Sequence, residues 1–127
     1  MPRQALQPEG MAVPKPPYSP VVVSGDIVYT AGQIANDPEG NLVAGGIAEQ
    51  ARRTLENVRA CVEAAGCTLD DVCKTTVWLQ DARDFGSFNR IYMGYFGEKK
   101  PARSTTEARL MVDARLEIDV VAYSPRA

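Results

Sequence analysis

The segment from Arg115 to Tyr123 alternates strictly between two kinds of side chain, and no other feature of the sequence constrains the fold as strongly. Its apolar set is Leu116, Ile118, Val120 and Ala122, and its second set is Arg115, Glu117, Asp119, Val121 and Tyr123. A period of two with β-branched residues predicts a β-strand with two unlike faces. We expect the apolar face to pack on a core and the charged face to meet water, a partner subunit or a ligand.

Arg103 and Glu117 are the strongest candidates for functional residues. Arg103 follows Pro101 at the start of the stretch that ends in this strand, and Glu117 lies on the strand's charged face. From the residues alone, each also fits a surface or interface ion pair. The chain has no histidine, which removes the Ser–His and Cys–His nucleophile arrangements. Acid–base chemistry would therefore depend on carboxylates, tyrosine, lysine or bound water.

Composition and charge exclude several functional classes. The 127 residues, 45% hydrophobic and 24% charged, predict one globular domain over residues 1–127. A net charge of −2 without a basic stripe argues against a nucleic-acid partner. The sequence lacks an apolar run of about 18 residues and an apolar signal region behind its N-terminus. We therefore expect a cytoplasmic protein with no membrane partner.

The cysteines predict packing rather than chemistry. Cys61, Cys67 and Cys73 make an odd number of thiols with no CxxC spacing and no histidine in the chain. This argues against both a disulfide framework and a zinc site. We interpret all three as small buried hydrophobic residues and predict no metal.

The first half of the chain predicts an arm, a hairpin and a helix. Prolines recur through residues 1–19, which predicts an extended arm with Tyr18 as an aromatic anchor at its end. Two apolar runs around a short loop with glycine predict a β-hairpin over 21–30. Apolar residues then recur at steps of three and four over 47–65, which predicts a helix that stops at Gly66.

A second strand pattern covers residues 72–79. Its alternation assigns Cys73 and Val77 to one face and Val72 and Trp78 to the other. The face with the tryptophan is neither plainly core nor plainly solvent, which indicates a protein interface.

A helix is predicted between the N-cap Asp81 and the stop at Gly97. Its apolar stripe is Phe85, Phe88, Tyr92 and Phe96. We interpret the stripe as core, and Asn89 beside it as free for a polar contact. Two more strands follow in residues 101–123.

This order of elements predicts an α+β domain in which two helices cover one face of a sheet. No helix is left for the second face, which is too apolar to remain exposed. Self-association through this face is the simplest expectation.

Five segments together resemble the Rid family, the reactive intermediate/imine deaminases. They are VYTAGQI, QARRTLENVRACVEAAG, KTTVWLQD, PARSTTEARL and LEIDVVA, and the similarity extends from about Tyr18 to Tyr123. The resemblance implies the chorismate-mutase-like α+β fold, with one mixed β-sheet and two helices on one face. It also implies a homotrimer in which three sheets form a central β-barrel and ligand clefts lie between adjacent subunits.

The resemblance implies an enzyme of the 2-iminobutanoate/2-iminopropanoate deaminase type. Such a hydrolase converts reactive 2-enamine and 2-imine intermediates, such as 2-aminoacrylate, to 2-oxo acids and ammonia, with no cofactor. Arg103 matches the family's catalytic arginine, which grips the substrate carboxylate, and Glu117 matches the glutamate that positions the attacking water. Guanidinium suits the first role because its planar fork makes two parallel hydrogen bonds to a carboxylate.

Four further residues match substrate-binding positions of the family. Tyr18 and Asn89 match its pocket tyrosine and asparagine. Thr105 stands where cysteine is common, and its backbone N–H can serve the ligand. Ala31 occupies the place of a pocket serine, so one hydroxyl contact is missing. The segment 103–117 is one residue shorter than the common pattern, which predicts an altered pocket rim.

Three alternatives remain open at this stage. A larger unsaturated amino acid such as 2-aminomuconate would be the substrate if the altered rim admits it. A non-catalytic trimer would bind small carboxylates as a sensor. An RNA-directed activity is a label that some family members carry, but an acidic chain without a basic stripe argues against it.

Overall fold

Six strands form one sheet, and two helices pack on one of its faces, in a computed structural model that describes residues 3–125. The strands are β1 (Gln4–Leu6), β2 (Val21–Ser24), β3 (Ile27–Thr30), β4 (Val72–Leu79), β5 (Ala102–Glu107) and β6 (Leu116–Tyr123). The helices are α1 (Ile47–Ala64) and α2 (Phe85–Phe96), and 3-10 turns at Leu69–Asp71 and Ala82–Asp84 precede β4 and α2. The predicted α+β class is confirmed, and the order of elements is as predicted except for the additional strand β1 in the arm.

The strand order is β1-β2-β3-β6-β4-β5. Only β4 and β5 run parallel among these neighbours, and the other pairs are antiparallel. The parallel pair follows from α2, because a crossover connection is what allows two strands to point the same way. The sheet is therefore mixed, and β5 forms one of its two edges.

The alternation predicted for β6 is confirmed. Its apolar side chains, Leu116, Ile118, Val120 and Ala122, are buried under the helices with at most 1% of their surface exposed. Burial of one such aliphatic side chain stabilises the fold by about 1.5–3 kcal/mol. Because every second residue is committed to the core in this way, the register of β6 is fixed, and Glu117 must project from the face without helices.

The amphipathic helix α1 is also confirmed. Ala51, Leu55, Val58 and Val62 are fully buried on one side of it. Gly66 follows its end with a φ of +82°, a left-handed conformation that glycine adopts without strain. Helix α1 thus supplies most of the core layer, and α2 lies beside it nearer to the β5 edge of the sheet.

The predicted faces of β4 are wrong at its start. Val72 is buried and Cys73 is exposed, the reverse of the alternation argument. The cause is a β-bulge between Val72 and Lys74, where the register with β6 shifts by one residue. An inserted residue reverses which face each preceding side chain takes. The prediction of three buried cysteines is therefore correct for Cys61 and Cys67 and wrong for Cys73.

Two boundaries also differ from the predictions. The proline-rich arm contains regular structure that its composition did not predict, because Gln4–Leu6 forms β1 and pairs antiparallel with β2; residues 1 and 2 of the arm lie outside the described part. Asp81 caps the short 3-10 turn by accepting a hydrogen bond from the Arg83 N–H at 2.9 Å. Helix α2 itself begins later, at Phe85.

Neither helix within residues 3–125 has the length and apolar character needed to cross a membrane.

Candidate functional site

Arg103 lies on the edge strand β5 and faces helix α2. It pairs in register with Thr75 of β4, which is fully buried on the helix side of the sheet. The guanidinium carbon Cζ lies 4.7 Å from the ring centroid of Tyr92, 5.5 Å from that of Phe88 and 5.6 Å from that of Phe85. Nη2 of Arg103 donates a hydrogen bond to Oδ1 of Asn89 at 2.9 Å.

Helix geometry explains this cluster. Phe85, Phe88, Asn89 and Tyr92 recur at the three- and four-residue steps that put side chains on one side of a helix. The cation–π contacts and the amide oxygen stabilise the guanidinium from the helix side. Phe85 is 46% exposed, so the interpretation of it as core is wrong: its ring borders the arginine at the start of α2.

Tyr92 is fixed in turn by the sheet. Its hydroxyl shares a buried hydrogen bond with Oγ1 of Thr75 at 2.9 Å, and burial raises its pKa above the usual value. The ring beneath the guanidinium therefore has one defined position. Sequence reasoning treated Tyr92 as an ordinary core aromatic, and only its hydroxyl distinguished it from the phenylalanines of the stripe.

The guanidinium of Arg103 keeps free hydrogen-bonding capacity. Within residues 3–125, no carboxylate lies within ion-pair distance of Arg103. This removes the intrachain ion pair that the sequence left open. The side chain is half-buried, and its hydrogen bonds go to the neutral side chains of Asn89 and Tyr92. A cation that is held in place without a carboxylate partner is suited to bind an external anion.

Thr105 presents its backbone N–H to the free edge of β5. Ala108 donates from its N–H to the carbonyl oxygen of Leu79 at 2.9 Å, toward β4. Backbone groups alternate in direction along a strand, so the N–H groups of Thr105 and Arg103 point away from β4. The side chain of Thr105 lies on the same side of the sheet as Arg103.

Glu117 projects from the opposite face of the sheet. It pairs in register with Trp78 of β4, and its carboxylate lies against Gly32. Burial raises the pKa of Glu117 above its usual value, and the negative charge of the neighbouring Asp119 raises it further. Asp119 has a raised pKa as well, chiefly through burial, although Thr76 and Lys74 act in the other direction.

Ala31 precedes Gly32, the residue against which this carboxylate lies. Its N–H donates to the carbonyl oxygen of Pro20 at 2.8 Å, and its methyl group is half-buried. The next residues are anchored, because Gln33 exchanges two backbone hydrogen bonds with Ile118 at 2.7 and 3.0 Å. Gly32 is thereby fixed between Ala31 and a buried anchor, a role that sequence analysis did not detect.

Tyr18 ends the arm and is 51% exposed. Its N–H donates to the carbonyl oxygen of Pro16 at 2.9 Å. The side chain borders a cavity of about 450 Å³ between the arm and helix α1. Neither Arg103 nor Glu117 lines this cavity.

The predicted residues therefore form two separate sets. Arg103, Asn89 and the Thr105 N–H lie together at the β5 edge, and Glu117 lies on the face without helices, against Gly32, the residue that follows Ala31. The signal for two sets was present in the sequence only as the alternation of each strand. In residues 3–125, no three side chains of the types that bind metals come together.

The sequence of this chain is similar to a known protein family and to several of its members. The sequence matches the family described as Endoribonuclease L-PSP over residues 10–124. It is 48% identical over 114 residues to a RutC family protein of Pyrococcus horikoshii, with 87% of this chain and 90% of that protein covered. It is 46% identical over 110 residues to the 2-iminobutanoate/2-iminopropanoate deaminase of Salmonella typhimurium, with 84% and 86% covered.

The fold has a close match among solved structures. The structure of E. coli TdcF with bound serine superposes with a TM-score of 0.89 at 36% identity, and covers 95% of this chain and 98% of TdcF. Nearly the whole chain is thus matched in both sequence and fold. The chain belongs to the endoribonuclease L-PSP family, which is the Rid family that its sequence resembles.

Proposed function

We propose that the protein hydrolyses reactive 2-enamine and 2-imine acids to 2-oxo acids and ammonia. The observation that carries this proposal is Arg103: a half-buried guanidinium, stacked on Tyr92 and held by Asn89, with no carboxylate partner in the described part of the chain. A planar guanidinium that is held in place and has no protein carboxylate beside it fits the carboxylate of a small acid. Relatives 44–46% identical to this chain carry the deaminase name.

The chemistry needs only the groups that are present. An enamine takes a proton on carbon and becomes an iminium, whose carbon C2 is electrophilic. The oxygen of water bonds to C2 while Glu117 orients the water and accepts its proton. Glu117 then passes this proton to the nitrogen, the C–N bond breaks to release ammonia, and the hydroxyl group gives its own proton to Glu117 as C2 becomes the carbonyl of the 2-oxo acid. Fixing the carboxylate at Arg103 holds C2 in place, which can contribute several kcal/mol.

The two sets of residues would meet in a cleft between copies of the chain. Arg103 and Glu117 lie on opposite faces of one sheet, so a single copy cannot present both to one small ligand. The free edge of β5 and the half-buried side chains on the face without helices, such as Trp78, support a partner copy at that position. A closed homotrimer with a central barrel, as in the family, is the assembly we propose.

Two other functions would use the same cleft. A non-catalytic protein that binds small carboxylates is favoured by the bound serine named for TdcF, and it would need Arg103 but not Glu117. A larger unsaturated substrate such as 2-aminomuconate is favoured by Ala31, whose side chain is shorter than the serine that the family resemblance implies at this position. The family's description names an endoribonuclease, but a net charge of −2 gives this chain little attraction for phosphates.

A coupled assay tests the proposal. A serine or threonine dehydratase generates the imine, and its decay is followed with the wild type, Arg103→Ala and Glu117→Ala. Arg52→Ala and Glu63→Ala, at exposed positions on α1, serve as matched controls. We expect faster decay with the wild type and both controls, and no acceleration with either site variant. A wild type that binds a 2-oxo acid but does not accelerate decay would indicate the carboxylate-binding function instead.

A further inference from the structure

The backbone conformation at Gly32 does not require a glycine. The glycines of residues 3–125 with a left-handed φ are Gly10, Gly25, Gly40, Gly45 and Gly66, and Gly32 is not among them. Any residue could therefore adopt its backbone conformation without strain. The reason for glycine at this position must lie in the space around it.

That space is filled by Glu117. A Cβ added to Gly32 would overlap the Glu117 side chain, whose Cγ, Cδ and Oε2 all lie within 3.0 Å of the position it would take. The three nearest atoms are all from this one side chain. The Glu117 side chain thus occupies the space that a side chain at position 32 would take.

The backbone segments that carry Gly32 and Glu117 cannot easily move away from each other. Gln33 is buried and exchanges hydrogen bonds at 2.7 and 3.0 Å with Ile118, which is fully buried. These two residues immediately follow Gly32 and Glu117 in their own segments, so both segments are locked together at this point. A side chain at position 32 would be accommodated by rotation of the Glu117 side chain, which has three rotatable bonds, rather than by the backbone.

We infer that Gly32 is a positioning residue: its missing side chain keeps the Glu117 carboxylate in the one place from which it can orient the attacking water. This inference rests on the proposed function. The groups that face the carboxylate are Trp78 of β4 and Asp119 of β6, with Lys74 beyond Asp119. If the Glu117 carboxylate is displaced, it moves away from Trp78 and Asp119, while Arg103 on the other face of the sheet stays in place.

The inference predicts a specific split in the kinetics of Gly32→Ala. The turnover number should fall by about 100-fold or more, as for loss of a general base, because the carboxylate no longer reaches the water. The KM should stay near the wild-type value, because the arginine set is untouched. The melting temperature should stay within about 5 °C of the wild type, since only a flexible side chain rotates.

A double-mutant comparison separates this role from a structural one. The variants are Gly32→Ala, Glu117→Ala and their combination, with Gly94→Ala as control because a Cβ there meets nothing within 4 Å. Glu117→Ala is itself expected to be inactive, so the double variant is compared with it by melting temperature. Glu117→Ala removes the overlapping atoms, so adding Gly32→Ala to it should leave the melting temperature unchanged. A double variant that melts well below Glu117→Ala, or that is unfolded, would show that Gly32 acts otherwise and would overturn the inference.

A crystal structure of Gly32→Ala decides the question independently of any activity. We expect the backbone of residues 30–34 and 116–120 to be unchanged and the Glu117 carboxylate to have moved. A carboxylate in its original place with a shifted backbone would overturn the inference. If the wild type shows no deaminase activity, the proposed function fails, while this structural result still stands or falls on its own.

Discussion

Asn89 accepts a hydrogen bond from Nη2 of Arg103 at 2.9 Å, so helix α2 fixes one side of the guanidinium and leaves the other open. We predict that Asn89→Ala raises the KM for an imine about tenfold, with a smaller effect on turnover. A hydrogen bond to a charged group contributes about 1.5–3 kcal/mol, and about 1.4 kcal/mol corresponds to tenfold in binding. Ser87→Ala, which removes a similar bond to Arg90 on the same helix, should leave the KM unchanged. Equal effects of the two variants would contradict a positioning role for Asn89.

Replacement of Arg103 by lysine tests whether the fork, and not only the charge, binds the substrate. Arg103→Lys keeps a cation but loses the planar group that stacks on Tyr92 and donates to Asn89. We expect the KM to rise about tenfold or more, and the Kd of an unreactive 2-oxo acid, measured by calorimetry, to rise in parallel. Wild-type affinity in Arg103→Lys would show that a point charge is sufficient.

The pH dependence of activity should report on Glu117. The carboxylate form is required, so activity falls as pH drops through the pKa of Glu117, which burial and Asp119 raise above its ordinary 4.5. Asp119→Asn removes the negative charge that raises this pKa. The acid limb of turnover should therefore move to lower pH, but only in part, because burial is the larger cause. Asp70→Asn, at an exposed position, should leave the limb where it is, and an unmoved limb in Asp119→Asn would contradict the assignment to Glu117.

Thiol reactivity should follow the corrected burial of the cysteines. Cys73 is exposed, whereas Cys61 and Cys67 are buried, and burial raises the pKa of Cys61 to about 12. A thiolate reacts and a buried thiol does not, so a disulfide reagent should label Cys73 in the native protein and all three cysteines after denaturation. The Cys73→Ser variant should show no fast native labelling. A wild type without fast native labelling would contradict the β-bulge that exposes Cys73, and fast labelling that persists in Cys73→Ser would contradict the burial of Cys61 and Cys67.

Regular elements were predictable because their signals are local. The alternation of β6 and the three- and four-residue steps of α1 each follow from which side chains face one core. The bulge at the start of β4 was not predictable, because one extra residue leaves no mark on composition. It nevertheless reverses the faces of Val72 and Cys73. Phe85 fitted the apolar stripe of α2, but it is the first residue of that helix and lies beyond the end of the core.

The candidate site was predictable in its members but not in its arrangement. Arg103 and Glu117 were identified by residue type and by family resemblance. Their placement on opposite faces depends on the register of β5 and β6 against β4, which pairs Arg103 with the buried Thr75 and Glu117 with Trp78, and the alternation within one strand does not encode that register. Gly32 was missed because a glycine after a strand normally indicates a turn, and its contact with Glu117 joins residues far apart in sequence.

The measurement that tests the account most directly mixes two inactive variants. Arg103→Ala and Glu117→Ala are combined in equal amounts, reassembled from denaturant, and assayed for imine decay beside each variant reassembled alone. If each cleft takes its arginine and its glutamate from different copies, random assembly gives both intact groups in about a quarter of the clefts. We predict about a quarter of wild-type activity in the mixture and none in either variant alone. No recovery, with mixed oligomers demonstrated by mass spectrometry, would contradict a site shared between copies.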